Sequence, residues 1–111
     1  MKPLLLIAGE DEVQIYGGEK KPVTIDGLND TYRYSMDGKK IALTVDVDDK
    51  GLGQLWYCDG QKSFDVDKDV YNFNFSASGN KIAYLTDYDS ESGVVNLNVY
   101  DIQTKKSKLI I

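Results

Sequence analysis

The chain has 111 residues, of which 41% are apolar and 28% charged, and its 13 basic and 18 acidic residues leave a net charge of −5. That is one domain's length of ordinary soluble composition. The acidic balance and the single arginine, Arg33, disfavour nucleic acid and anionic membrane surfaces, which need clustered positive charge and forked phosphate contacts. There is no histidine, so a Ser-His-Asp or Cys-His pair, an imidazole base and a histidine-bound metal are all excluded.

In chain order, the opening "MKPLLLIAGEDE" has five consecutive apolar residues before Gly9 and the acids. This is too short for a signal-peptide core or a membrane span, and no membrane insertion is expected of the chain as given. From there the period is two, and β-branched and aromatic residues fill the runs, so every segment reads as strand. A first group is "PLLLIA", "VQIYGG" and "KPVTI"; a second is "TYRYS", "KIALTVD", "GQLWYCD" and "KSFDV". The third is "VYNFNFS", "KIAYLTD", "VVNLNVYDI" and "KSKLII", making eleven strands in all. Tyr71, Phe73 and Phe75 are expected on one face against Asn72 and Asn74, and Val95, Leu97 and Val99 against Asn96, Asn98 and Tyr100.

The second and third groups repeat one another. Ser35, Gly38 and Lys40-Ile41-Ala42 return 41 residues later as Ser76, Gly79 and Lys81-Ile82-Ala83, and Leu55 and Asp59 return 42 residues later as Leu97 and Asp101. In the first group Gly18-Glu19-Lys20 answers Gly60-Gln61-Lys62. Asp37-Gly38 and Ser78-Gly79 fall at tight turns where glycine takes a positive φ without strain, and Ser35 and Ser76 can bond the turn backbone. A four-stranded unit repeating every 40–45 residues is the signature of a β-propeller blade, a small sheet that must stack on its neighbours. The expected fold is all-β, about two and three-quarter blades of four antiparallel strands: a partial blade of three strands over 1–29, a second over 30–69 and a third over 70–111. The glycine-turn hairpin is placed near the axis, and "KKSKL" suits the polar outermost strand.

These residues resemble the TolB-like propeller repeat, a WD40-like family with a Ser-Pro-Asp-Gly turn followed by an Ile-Ala-aromatic strand. "SMDGKKIALT" keeps the Ser, Asp, Gly, Ile and Ala, with Met36 at the proline position; "SASGNKIAYLT" keeps Ser, Gly, Ile, Ala and Tyr84. "LWYCDG" and "LNVYDIQT" are similar to the family's hydrophobic-Tyr-Asp strand. The likeness covers residues 30–111 well and 3–29 weakly. It implies a non-catalytic binding or interaction scaffold of bacterial type, leaning to an extracytoplasmic setting, whose partner is another protein or copies of itself as a homo-oligomer or a larger propeller. The alternative it implies is a propeller segment gating a prolyl oligopeptidase-type hydrolase domain in a longer parent chain.

No enzyme activity and no cofactor are expected of this chain, since no aspartate sits in a recognisable catalytic frame. Metal candidates are weak. "DYDSESG" offers Asp87, Asp89 and Glu91 but displaces the loop glycine by one, "DVDDKG" puts Lys50 where a ligand belongs, and "DVDKD" has no glycine. Solvated acidic loops are the plainer reading. Cys58 cannot pair within the chain and is expected as a buried, inert thiol. Trp56 and the tyrosines are assigned to packing between blades ahead of stacking on a sugar or peptide.

Overall fold

The computed structural model describes residues 4–17 and 21–111. Ten strands and no helix are found among them: β1 (Leu5–Ala8), β2 (Glu12–Tyr16), β3 (Val23–Asp26), β4 (Asn29–Tyr34), β5 (Ile41–Val45), β6 (Gly53–Cys58), β7 (Ser63–Phe75), β8 (Lys81–Thr86), β9 (Asn96–Asp101) and β10 (Lys106–Leu109). Every pairing is antiparallel and between strands adjacent in sequence, giving one sheet β1-β2-β3 and another β10-β9-β8-β7-β6-β5-β4.

The eleven expected strands become ten because two of them are continuous. Residues 63–67 of β7 pair with β6, and Val70 to Phe75 pair with β8, so one strand closes the second blade and opens the third. The crossing falls beside Asp69, whose φ of +55° turns the chain out of one sheet plane and into the next. The corresponding passage from β3 to β4 runs through Gly27 at φ +126°, and there the two sheets stay separate. The first sheet has three strands, with β1 in the second-strand position. The Gly18-Glu19-Lys20 equivalence lies outside the described residues.

Two apolar layers hold the three blades together. Val13, Ile15 and Ile25 of the first blade meet Ile41, Leu43, Val45 and Cys58 of the second, with Trp56 half-buried against them. On the second blade's other face Ala42, Leu55 and Tyr57 meet Val70, Phe73, Ile82, Tyr84 and Tyr100 of the third. All five residues of β5 are buried, because the middle blade is covered on both sides. That is why "IALTV" lacks polar alternation. At the far edge, β10 is exposed along its whole length.

One expectation about faces is corrected. Tyr71 does not share a face with Phe73 and Phe75. The register slips between Val70↔Thr86 and Asn72↔Leu85, so Tyr71 sits on a β-bulge, is exposed and stacks on Tyr88 at 4.5 Å. The same slip occurs 41 residues earlier, at Asp30, between Asn29↔Val45 and Thr31↔Thr44. In β9 it is Asn98 and Tyr100 that are buried, while Leu97 and Val99 are half-buried. Asn98 is tolerated there because its Nδ2 donates to Thr86 Oγ1 at 2.9 Å.

Candidate interaction surfaces

The two glycine turns are built alike. Ser35 N–H donates to Lys40 O, Gly38 N–H to Ser35 O, and Lys40 N–H to Ser35 Oγ at 3.0 Å. Ser76, Gly79 and Lys81 repeat all three bonds, the last at 3.1 Å. Gly38 and Gly79 stand at φ +74° and +77°. Asp37 adds a carboxylate that accepts from Ser35 Oγ and Lys39 N–H, and those donors hold its pKa below the usual range. These side chains are spent on the turn itself.

The acidic loops are also used internally. Asp48 Oδ1 accepts from Lys50 N–H and Leu52 N–H, both at 2.9 Å, and Asp89 Oδ1 accepts from Glu91 N–H at 3.0 Å. The Glu91 backbone donor and then Ser92 keep the Asp89 pKa low. Asp87 accepts from Asn96 Nδ2 at 3.3 Å. Asp87, Asp89 and Glu91 border one open hollow with Lys50 and Tyr88. Among the described residues no group of three or more His, Cys, Asp or Glu side chains is arranged to hold a metal ion. Asp46 and Asp87 carry a signal that sequence reasoning missed: both adopt left-handed backbone, at φ +54° and +56°, directly after the second strand of their blades.

Among the described residues, no buried side-chain polar atom lacks a hydrogen-bond partner. The Tyr84 hydroxyl donates to Asp67 Oδ2 at 2.9 Å and is hydrogen-bonded to Ser107 Oγ at 2.7 Å; burial first, then the Asp67 charge, pushes its pKa up to about 12. Burial also raises the pKa values of Tyr57 and Tyr100, whose rings lie 5.6 Å apart. Cys58 is fully buried, its Sγ accepts from Gly60 N–H at 3.3 Å, and desolvation raises its pKa, which makes it a poor nucleophile.

The surfaces left open are the outer faces of the end blades. On the third, Ala83, Leu85, Leu97 and Val99 occupy the repeat positions of Ala42, Thr44, Leu55 and Tyr57, all of which are buried in the second blade. On the first, Leu5, Ile7 and Tyr16 correspond through the cross-strand pairing to Ile41, Leu43 and Cys58. Leu5 is 56% and Ile7 49% exposed, whereas their counterparts are fully buried. The repeat therefore identifies both end faces as blade-to-blade contact faces without a cover among the described residues.

Small antiparallel sheets stacked face on face, with β7 closing the second blade and opening the third, make an all-β partial propeller. No protein-family model matches the sequence, and no curated protein matches it. Among solved structures the chain is similar to the tricorn protease, with a TM-score of 0.67 and 16% identity, over 96% of this chain and 11% of that one. It is also similar to the β-propeller domain of the Trilobed protease from Pyrococcus furiosus, which has an open velcro topology. There the TM-score is 0.60 at 15% identity, over 97% of this chain and 38% of that one. The chain thus spans a minor part of both neighbours, and the likeness is one of fold: an all-β partial propeller.

Proposed function

We propose that the chain is a non-catalytic scaffold of the TolB-like kind, working through blade faces that another protein surface covers. The turn phrase "SMDGKKIALT" supports the family reading. The observation that carries the function is the pair of uncovered end faces, whose repeat equivalents are buried within the same chain. Exposed apolar sheet faces drive association. Two copies around a two-fold axis would come close to six blades, each half short of one strand, within the usual four to eight. Light scattering on a sizing column tests this: a species of two chains is expected at high micromolar concentration, and Leu97→Lys should shift it to one chain without lowering the melting temperature. A monodisperse monomer at every concentration and salt would overturn self-association.

A second reading is favoured by one fact, that both similar structures belong to proteases. In it the blades are part of a propeller that restricts access to a hydrolase domain. A parent chain with a downstream α/β pattern carrying Gly-x-Ser-x-Gly would support it; further blades alone would support the scaffold.

A further inference from the structure

Antiparallel strands joined in chain order place their connections alternately on two rims of the arc. The connections after β1, β3, β5 and β8, with the bend at Asp69 inside β7, lie on one rim. The turns after β2, β4, β6 and β9, with the glycine turn between β7 and β8, lie on the other. Charge follows the same division. The first rim, over residues 9–12, 26–30, 46–52, 67–69 and 87–95, carries 13 acidic residues and two lysines. The second, over 21–22, 35–40, 59–62, 76–81 and 101–106, carries seven lysines and three aspartates. The net charge of −5 therefore divides into an acidic rim and a basic one on the same molecule.

On the basic rim the aspartates serve the turns. Asp37, Asp59 and Asp101 each accept from the backbone N–H two residues on, all at 2.9 Å. The lysines are not used in this way: Lys39, Lys62 and Lys106 are exposed, and the ion pair found among the described residues is Lys81 with Asp101 at 3.9 Å. The acidic rim is not flat. Two open hollows of about 380 and 470 Å³ meet at Leu52, one bordered by Trp56, Asp48 and Asp69, the other by Tyr88, Asp89 and Glu91. A lysine stem can lie along an aromatic wall of this kind while its ammonium group meets the carboxylates.

We infer that the acidic rim is a docking surface for the basic rim of a second copy, so that copies stack rim on rim. The occupant is a second copy because the two rims are the two ends of the same strands. Acidic loops and lysine turns recur at one blade-to-blade spacing, and a lysine turn of one copy can meet an acidic loop of the next at each blade. Every connection involved lies inside the chain, between paired strands. Like rims repel, so the contact is head to tail, an arrangement that does not close and grows with concentration. Single exposed ion pairs contribute little, whereas a field of one sign facing a field of the other sets orientation and register. Screening shortens their reach from about 30 Å at 10 mM salt to about 3 Å at 1 M, which makes stacking a low-salt property. It uses neither blade face and is independent of the association proposed above.

Sedimentation of the full chain carrying Leu97→Lys, which disables the blade face, reads the contact. At about 10 mM salt the average mass should rise with concentration beyond two chains, and at about 1 M it should return to one. Adding Lys39→Glu, Lys62→Glu and Lys106→Glu turns the basic rim acidic, and that protein should remain a single chain with an unchanged melting temperature. Mixed with the Leu97→Lys chain it should shorten the stacks, because its intact acidic rim still accepts a basic rim while its other rim accepts nothing. Lys108→Glu, within β10 and between the rims, should leave the stacks as they were. A single chain at low salt up to about 1 mM protein would overturn the inference. So would stacking that ignores salt, or stacking that survives the three lysine reversals. Pairing of the unsubstituted chain that persists at about 1 M salt and vanishes with Leu97→Lys belongs to the blade faces, so the loss of either behaviour leaves the other standing.

Discussion

Asp46 and Asp87, 41 residues apart, share the same left-handed backbone, and each closes the end of its blade's inner hairpin. Asp46 N–H donates to Leu28 O, and Asp87 N–H to Asp69 O. Asp46 goes further: its Oδ1 accepts from Leu28 N–H at 2.8 Å, so one residue binds both polar groups of Leu28. Aspartate and asparagine tolerate positive φ better than other residues with a Cβ. Asp46→Ala should therefore cost about 1 kcal/mol, chiefly from backbone strain, since water can take the place of the lost carboxylate at the exposed Leu28 N–H. Asp46→Asn should recover most of it. Urea denaturation of the three proteins decides the matter, and equal midpoints for alanine and parent would contradict the assignment.

At Gly79 the cost of a side chain is conformational and not steric. An added Cβ would come no nearer than 3.7 Å to Ser35 Cβ, which is ordinary contact, but φ is +77°. Gly79→Ala is expected to lose roughly 1–2 kcal/mol, and Gly79→Val more, because a β-branched residue is the worst fit to this region. The melting temperature should fall by at least about 4 °C for alanine. Asparagine, which visits the region more readily, should fall between glycine and alanine. If alanine melts within about a degree of the parent, the turn has another conformation available.

Alkaline pH should unfold the protein through its buried tyrosines. The Tyr84 pKa is raised above its ordinary 10 to about 12, by burial and then by the Asp67 carboxylate, and Tyr57 and Tyr100 are raised in the same direction by burial. A folded-state pKa above the unfolded one means that the folded chain holds the proton longer. The stabilisation is thus complete below pH 10 and lost progressively as pH climbs towards 12. For Tyr84 alone the loss is on the order of 2 kcal/mol. Denaturation midpoints measured at intervals from pH 8 to 11.5 should be flat and then fall. Tyr84→Phe should reduce the slope of the falling limb and leave the part due to the other two tyrosines. A flat profile to pH 11.5 would show that these hydroxyls ionise as freely in the folded chain as in the unfolded one.

The blade repeat was legible because it is written in residues whose roles are local. Gly38 and Gly79 are needed for φ, Ser35 and Ser76 for turn bonds, and Ile41 and Ile82 for the core, and each role selects a residue type without reference to distant contacts. What could not be read depends on tertiary register. The bulges at Asp30 and Tyr71 shift side chains between faces, so counting in twos from Phe73 misplaces Tyr71. In β9 the face with Leu97 and Val99 is the more apolar, but the face packed on the second blade carries Asn98 and Tyr100, since a polar residue with a buried partner is as good a core residue there. Leu97 and Val99 look instead towards the uncovered end of the arc. The aspartates were legible in number but not in purpose, because the sequence "DVDDKG" looks the same whether its carboxylates wait for a cation or accept from their own backbone.

That last ambiguity has a direct test in the third blade. A calcium loop must offer several oxygens to one point, with few of them already engaged. Asp89 Oδ1 is occupied by Glu91 N–H, and Asp87 Oδ2 takes a bond from Asn96 Nδ2. Lys50 borders the same hollow, and its charge adds, after the Glu91 and Ser92 donors, to the lowering of the Asp89 pKa. Calcium at up to about 1 mM should therefore leave the melting temperature unchanged within about a degree, where a site of micromolar affinity would raise stability by about 4 kcal/mol. Asp89→Ala should lower stability with or without calcium, because the lost bond is to the loop's own backbone. A calcium-dependent rise in melting temperature that Asp89→Ala abolishes would establish a metal loop here and reassign Asp87, Asp89 and Glu91 as its ligands.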